Sequence, residues 1–554
     1  MPLPPLDHPA VMPASLVRLA LIAVAATAPA LALAVPDGHP PPVPRKPTIA
    51  PKSDEPVRAA AAFGLPAGFS ARLFAAEPDV ANPVAFSVDE RGRAFVCETF
   101  RQGRAVNDNR GHDEEWVNAD LAAQTVADRD AFFRRLLPAD TVADWERDDD
   151  RIRLLEDTDG DGLADRVAVY ADGFNGLMAG TAAGILARRG DVWLACIPSF
   201  YRLRDVDGDG RIDSSPAERV ELSTGYGIRV ALRGHDLHGI LRGPDGRLYF
   251  SIGDRGYKVT HDGTTWHDPG SGAVFRCQSD GSGFEVFATS LRNPQELAFD
   301  DLGNLFTVDN NSDAGDQARL VHLLPGCDSG WNMAFQSIDD RGPWHREKLW
   351  HTAHDGQPAW IVPPLAHVGA GPSGLCYAPG TGLPPFFDRR FLLCDFRGGA
   401  ANSSIRTFRV VPRGASFAPA DEEETFRHVL ATDVEVGPDG ALWVSDWVHG
   451  WEGEGKGRLW RFVPQRDAAG QTLADEVRGL LAGDWESLDA ARLAALLGHA
   501  DRRVRLEAQW ELARRGDPAT LGRIAVDSSA PLLARVHAIQ GASQVVREIG
   551  RAHV

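Results

Sequence analysis

The sequence predicts an all-β six-bladed propeller followed by an α-helical, HEAT-like solenoid segment, and three observations carry that expectation. The first is a recurring phrase of a tight turn followed by a β-rich run. Arg91-Gly92 leads into Arg93 to Glu98, Arg189-Gly190-Asp191 into Val192 to Cys196, and Gly243-Pro244-Asp245-Gly246 into Arg247 to Ile252. Leu302-Gly303 then leads into Asn304 to Asp309, the run Phe391 to Asp395 follows, and Gly437-Pro438-Asp439-Gly440 leads into Ala441 to Asp446. One phrase per blade makes a propeller of six. The second observation is the change of apolar period after Phe462, where Asp489 to Leu497 and Val504 to Leu512 carry apolar residues at helical spacing. Arg505-Leu506-Glu507-Ala508 and Arg535-Val536-His537-Ala538 then repeat at an offset of 30, as solenoid repeats do. The third is the polar stretch Arg233 to Tyr257, which places His235, His238 and Asp254 around one predicted turn and strand. Residues just beyond the inner strands of a propeller converge on its central channel, so the His235 and Asp254 loops are expected to face one site.

Taken in order, residues 1–34 read as a secretory signal: Arg18 precedes the apolar run Leu19 to Leu33, and Ala32-Leu33-Ala34 offers small residues for cleavage. Residues 35–56 are Pro-rich and fit an extended linker, and the propeller is expected over 57–465. Between about 101 and 150 the strand pattern stops and short helices are expected, as a packing elaboration in preference to a lid. HEAT-like repeats occupy 475–547. The string 548–554 lacks their apolar spacing and matches the in-frame translation of a widely used sequencing adapter, with a short frayed tail as the alternative. On the adapter reading the natural chain continues beyond it.

The bulk properties narrow the function. A chain of 554 residues with 43% hydrophobic residues can bury a large core in more than one domain. A net charge of −19 argues against nucleic acid or an anionic membrane as the main partner. The six cysteines form no CxxC pair, suit an exported protein and stay open between buried thiols and disulfides. No CxxCH motif is present, so any haem c must come from a further C-terminal domain or another protein.

Two acidic loops read as calcium sites. Asp157, Asp159, Asp161 and Asp165, and again Asp205, Asp207, Asp209 and Asp213, stand at positions 1, 3, 5 and 9 of an EF-hand-type loop with Gly at position 6. The position-12 glutamate is absent, Ala168 and Pro216 standing there.

His235, Gly243 to Tyr249, Ile252-Gly253-Asp254 and Leu291-Arg292-Asn293-Pro294-Gln295-Glu296 together resemble the glucose/sorbosone dehydrogenases, and Gly371 to Gly374 and the Asp309 to Asp316 loop extend the likeness. The layout, with Ala76-Glu77-Pro78 and Glu156 to Gly162, is similar to exported, membrane-associated dehydrogenase-like proteins of planctomycetes and verrucomicrobia, in which propeller, helical repeats and a CxxCH cytochrome domain follow one another. The resemblance implies a propeller that uses calcium and pyrroloquinoline quinone, oxidises a sugar or other alcohol and passes electrons to a c-type cytochrome, in the periplasm or cell envelope. It assigns His235 as the base, Arg292 and Asn293 as the quinone's electrostatic partners, and Asp254 and Asn310 as further cofactor contacts. One departure stands out: the family's Arg-x-Arg clamp on the quinone carboxylates falls on Leu430-Ala431-Thr432, and Arg406, Arg409 and Arg427 are the nearest substitutes in sequence. A propeller that binds carbohydrate or protein without redox chemistry is the second reading, and a calcium-dependent hydrolase or lactonase the third.

Overall fold

The computed structural model describes residues 43–313, 315–333 and 361–552. The expected signal segment and the first part of the Pro-rich linker lie outside these residues, as do the last two residues of the tail. Six sheets of antiparallel strands, the third carrying in addition the short parallel strand Cys327–Asp328, are arranged in chain order around an axis, and the inner strand of each packs beside that of the next until the last meets the first. The inner strands are Pro83–Val88, Ala182–Arg188, Leu237–Arg242, Pro294–Phe299, Pro372–Tyr377 and Ala431–Val436. Every predicted turn-plus-strand phrase is the second strand of a blade: Ala94–Glu98, Asp191–Cys196, Leu248–Ile252, Leu305–Asp309, Phe391–Asp395 and Leu442–Asp446. All but the second of these are buried at every position, which is why they read as near-continuous apolar runs.

Ring closure is non-local. The outer strand of the sixth blade is Phe69–Ala76, from the start of the propeller, paired antiparallel with Arg458–Pro464 from its end. Six hydrophobic clusters fill the wedges between neighbouring blades. That between the second and third contains Phe200, Phe250, Phe275 and Tyr226, and that between the sixth and first contains Trp443, Phe74, Phe86 and Leu155. Each blade covers one face of the next, so apolar area is removed from water around the whole ring.

The expected insertion contains three helices: α1, Glu114–Ala122; α2, Val126–Leu136; and α3, Ala139–Trp145. Asp113 and Thr125 cap the first two by accepting from backbone N–H groups. Trp116, Phe132 and Phe133 bury one another against Leu177, Ile228 and Val230, so the insertion is anchored by its own cluster.

After the propeller come α4, Ala468–Ala482; α5, Ala490–Leu496; α6, Arg502–Arg514; α7, Pro518–Val526; and α8, Leu532–Ala552. Aspartates at 467, 489, 501 and 517 cap the first four of these helices. The helices share a core around Leu493, Leu512 and Leu521 and dock on the turns between first and second blade strands. Arg503 donates to the carbonyls of Val436 and Gly437, Gln509 and Gln544 to that of Pro244, and Glu507 pairs with Arg188. The helical segment therefore closes one face of the ring. No helix among the described residues is long and apolar enough to cross a membrane. All six cysteines are free thiols, five of them buried.

Candidate functional site

On the face opposite the helices, the loops before the first strands and after the second strands surround a cavity of about 830 Å³. Every inner strand contributes to its floor: Val84, Ala183, His238, Gln295, Pro372 with Ser373, and Thr432.

His235 stands on the wall, 4% exposed. The hairpin explains its partner: Leu237 pairs with Ile252 in antiparallel register, which sets Asp236 opposite Gly253 and His235 opposite Asp254. Gly253 is required there, because a Cβ would lie 2.7 Å from that of His235. His235 Nδ1 donates to Asp254 Oδ1 at 2.7 Å, and Trp331 Nε1 donates to Oδ2 at 3.0 Å. The structure thus places Asp254 behind the imidazole, and Asp254 is not among the cavity-lining residues. The carboxylate fixes the tautomer in which Nε2 carries the lone pair.

Arg292 and Asn293 are each 1% exposed and line the cavity. Asp309, at the end of a second strand, accepts from both backbone N–H groups at 3.0 and 2.6 Å, and Arg319 pairs with its other side. The Arg292 guanidinium bonds Asp313 at 2.8 Å and lies 5.6 Å from the Trp331 ring centre. Asn293 donates to the Gly234 carbonyl at 3.1 Å, and its Oδ1 is buried without a hydrogen-bond partner among the described residues. Asn310 also lines the cavity, its Oδ1 accepting from the backbone of Asn311. His238 bonds the Gly234 carbonyl at 3.0 Å, and burial lowers its pKa to about 4.

Several residues of the site carried no expectation, one of them, Trp331, standing behind the wall. Trp331 has no turn or strand signal of its own. Trp447 and Trp451 follow the second strand of the last blade, the position that drew attention to Asp254 in the third, and that parallel is the signal that could have found them. Arg110, Arg233 and Arg397 line the mouth and pair with Asp108, Glu452 and Asp395. Arg406, Arg409 and Arg427, the expected substitutes for the clamp, do not line the cavity. They lie on the outer strands of the fifth blade, where Arg406 pairs with Glu422 and Glu424, and Arg409 with Asp421.

The acidic loops join outer strands and take no part in the cavity wall. Asp157, Asp159 and Asp161 bring carboxylate oxygens within 4.8 Å of one another, as do Asp205, Asp207 and Asp209. The position-9 residues are outside these groups: Asp165 accepts from Thr158, and Asp213 from the Ser215 backbone. In the second loop Glu218 ties both ends, accepting from the backbone N–H groups of Val206 and Asp213.

One wall is polar, lined by Arg292, Asn293, Asn310 and Asn311, with Arg292 as its positive charge, paired with Asp313, and the Asn293 and Asn311 amide N–H groups donating to the Gly234 and Ala370 carbonyls. On the floor the clamp position is apolar, Leu430 and Ala431 being buried and Thr432 bonded to the Pro83 carbonyl. A quinone tricarboxylate would meet Arg292 on the wall, with no paired arginines beneath it, because Arg397 and Arg233 at the mouth are already paired with Asp395 and Glu452.

Ring and cavity define the chain as a six-bladed propeller with a buried histidine–carboxylate pair in its central pocket. The family described as "Domain of unknown function (DUF7133)" matches residues 55–455, and the chain belongs to it. No curated protein sequence matches. Among solved structures, the chain is similar to a putative oxidoreductase (glucose dehydrogenase) of Thermus thermophilus at 18% identity and TM-score 0.42, covering 72% of this chain and 100% of that one. It is also similar to the PQQ-bound aldose sugar dehydrogenase of Streptomyces coelicolor, at 17% identity and TM-score 0.41, over 72% and 99% of the two chains. A third is the PQQ domain of the Coprinopsis cinerea pyranose dehydrogenase, at 11% identity and TM-score 0.41, over 72% and 97%.

Proposed function

We propose that the chain is an exported oxidoreductase module of the quinoprotein sugar and alcohol dehydrogenase type, in which His235 takes the proton of a substrate hydroxyl. His235 on the cavity wall, with Asp254 bonded behind it, carries this reading. With Nδ1–H committed to the carboxylate, Nε2 is the basic atom, and Asp254 stabilises the imidazolium formed when it accepts a proton. Trp331 holds the carboxylate's second oxygen, so the pair is oriented before substrate arrives. Arg292 supplies a buried positive charge for a developing oxyanion, and Asp309 fixes the backbone that carries it. Arg292, Asn293 and Asn310 would hold the quinone, which when bound supplies the acceptor for the hydride leaving the substrate carbon. Calcium belongs in the two aspartate loops as a structural ion. Electrons then pass to a c-type cytochrome in the periplasm or cell envelope.

A second reading, a propeller that binds carbohydrate or protein without turnover, is favoured by one observation, Leu430-Ala431-Thr432 in place of the arginine clamp. Incubating the full chain with calcium and pyrroloquinoline quinone, then following dye-linked oxidation of a sugar and polyol panel, separates the two. The first reading predicts quinone uptake and dye reduction with at least one substrate; saccharide binding without dye reduction supports the second.

A further inference from the structure

The loop after the last second strand, Trp447-Val448-His449-Gly450-Trp451-Glu452, is built in a way the proton-transfer site does not use. Trp447 is 6% exposed and lines the cavity, with its Nε1–H buried and without a hydrogen-bond partner among the described residues. Four residues on, Trp451 lines the same cavity but is 61% exposed. The chain between them passes through Val448 at φ 77°, a left-handed conformation that is costly for a β-branched residue. Asp446 Oδ1 holds that turn by accepting the Val448 N–H at 3.0 Å. Gly398 lies against the Trp451 indole at φ 73°, where a Cβ would collide with the ring, and Phe396 meets it edge-on at 5.1 Å. Strain in the loop and an exposed indole supported by its neighbours point to a binding role, since burial alone does not explain an aromatic left at a cavity mouth.

We propose that this loop forms a second saccharide subsite, so that the pocket takes an oligosaccharide end with one ring inside and the next stacked on Trp451; this rests on the sugar-oxidising reading above. Inside, the ligand meets Trp447, whose buried Nε1–H has no hydrogen-bond partner among the described residues and can donate to a sugar hydroxyl. At the mouth it meets an apolar indole face, which suits the C–H face of a pyranose ring. The rim cations Arg233 and Arg397 are already paired with Glu452 and Asp395, which favours a neutral ligand over an anionic one. At about 830 Å³ the cavity is near the upper end of small-molecule sites, which run from about 300 to 1,000 Å³, leaving room for more than one ring.

The test is calorimetric binding of glucan, mannan, xylan and chitin-type oligomers of one to six units to the full chain and to its Trp451→Ala and Trp451→Phe variants. In at least one series affinity is expected to rise from one unit to two or three by about tenfold. Trp451→Ala should remove that gain and Trp451→Phe restore part of it. Equal affinity for monomer and oligomers, a gain that survives Trp451→Ala, or no binding in any series overturns the proposal. Because the readout is chain-length dependence of binding, it can fail while dye-linked oxidation of monosaccharides stands, and oxidation can fail while it holds.

Discussion

At the scale of single residues, the environments of the two histidines separate their roles. His235 has a carboxylate behind it and the cavity in front. His238 is bonded to the Gly234 carbonyl and held neutral by burial, with its pKa lowered to about 4. Asp254→Asn keeps the shape of the pair but turns the acceptor into an amide that favours the wrong tautomer, so turnover is expected to fall by about 10²–10⁴-fold with the fold intact. His238→Ala is expected to cost less than about tenfold, since the side chain never charges in the working range. Steady-state rates with circular dichroism as a fold control check both; equal losses in the two variants would contradict the assignment. The His235–Asp254 pair was within reach of the sequence because a short hairpin joins it, and register follows from the turn. Trp331 was not, because it reaches Asp254 from a different part of the ring, 77 residues away. The replacement arginines went astray for the same reason. Nearness in sequence to the missing clamp placed Arg406 and Arg409 on an outer strand, whereas Arg397 reaches the mouth because it follows a second strand.

At the scale of elements, the recurring turn-plus-strand phrase was legible because each second strand is buried between two wedges of core. The acidic loops were legible through their alternation, but only three of the four aspartates in each converge. Three clustered carboxylates repel one another without a cation, so chelation is expected to lower Tm by a few degrees and calcium to restore it. A Tm unmoved by chelator, with no calcium by elemental analysis, would remove the metal. The inner strands carry a further pH dependence. Asp433 and Glu435, on the last inner strand, are pushed up by burial to about 6 and about 8, and Glu296 across the channel is raised by burial and by both of them. Folded-state values above the unfolded ones mean that the stabilising effect is complete below about pH 4 and is lost as pH rises through 6 and then 8. Glu435→Gln should therefore match wild type near pH 4 and exceed it near pH 9, by on the order of 1–3 kcal/mol in chemical unfolding. An advantage that is the same at both pH values would contradict this account.

At the scale of the molecule, the two faces of the ring have different tasks. The helical segment covers one, bonding the turns of several blades, and leaves the cavity open on the other. Deleting residues 468–554 is expected to uncover the carbonyls of Pro244, Val436 and Gly437 together with the apolar side of the helices' docking surface, lowering Tm or making the ring insoluble. A deletion variant that melts with the full chain would show that the helices contribute nothing to it. The proposed oxidation depends on His235, backed by Asp254, removing the substrate's hydroxyl proton. The most direct measurement is the rate of dye reduction by the full chain carrying calcium and pyrroloquinoline quinone, for wild type and His235→Ala side by side, with quinone uptake measured on both. Turnover by wild type, equal quinone uptake and a loss of about 10²–10⁴-fold in His235→Ala are expected; a variant that reduces dye at the wild-type rate would show that His235 is not the base.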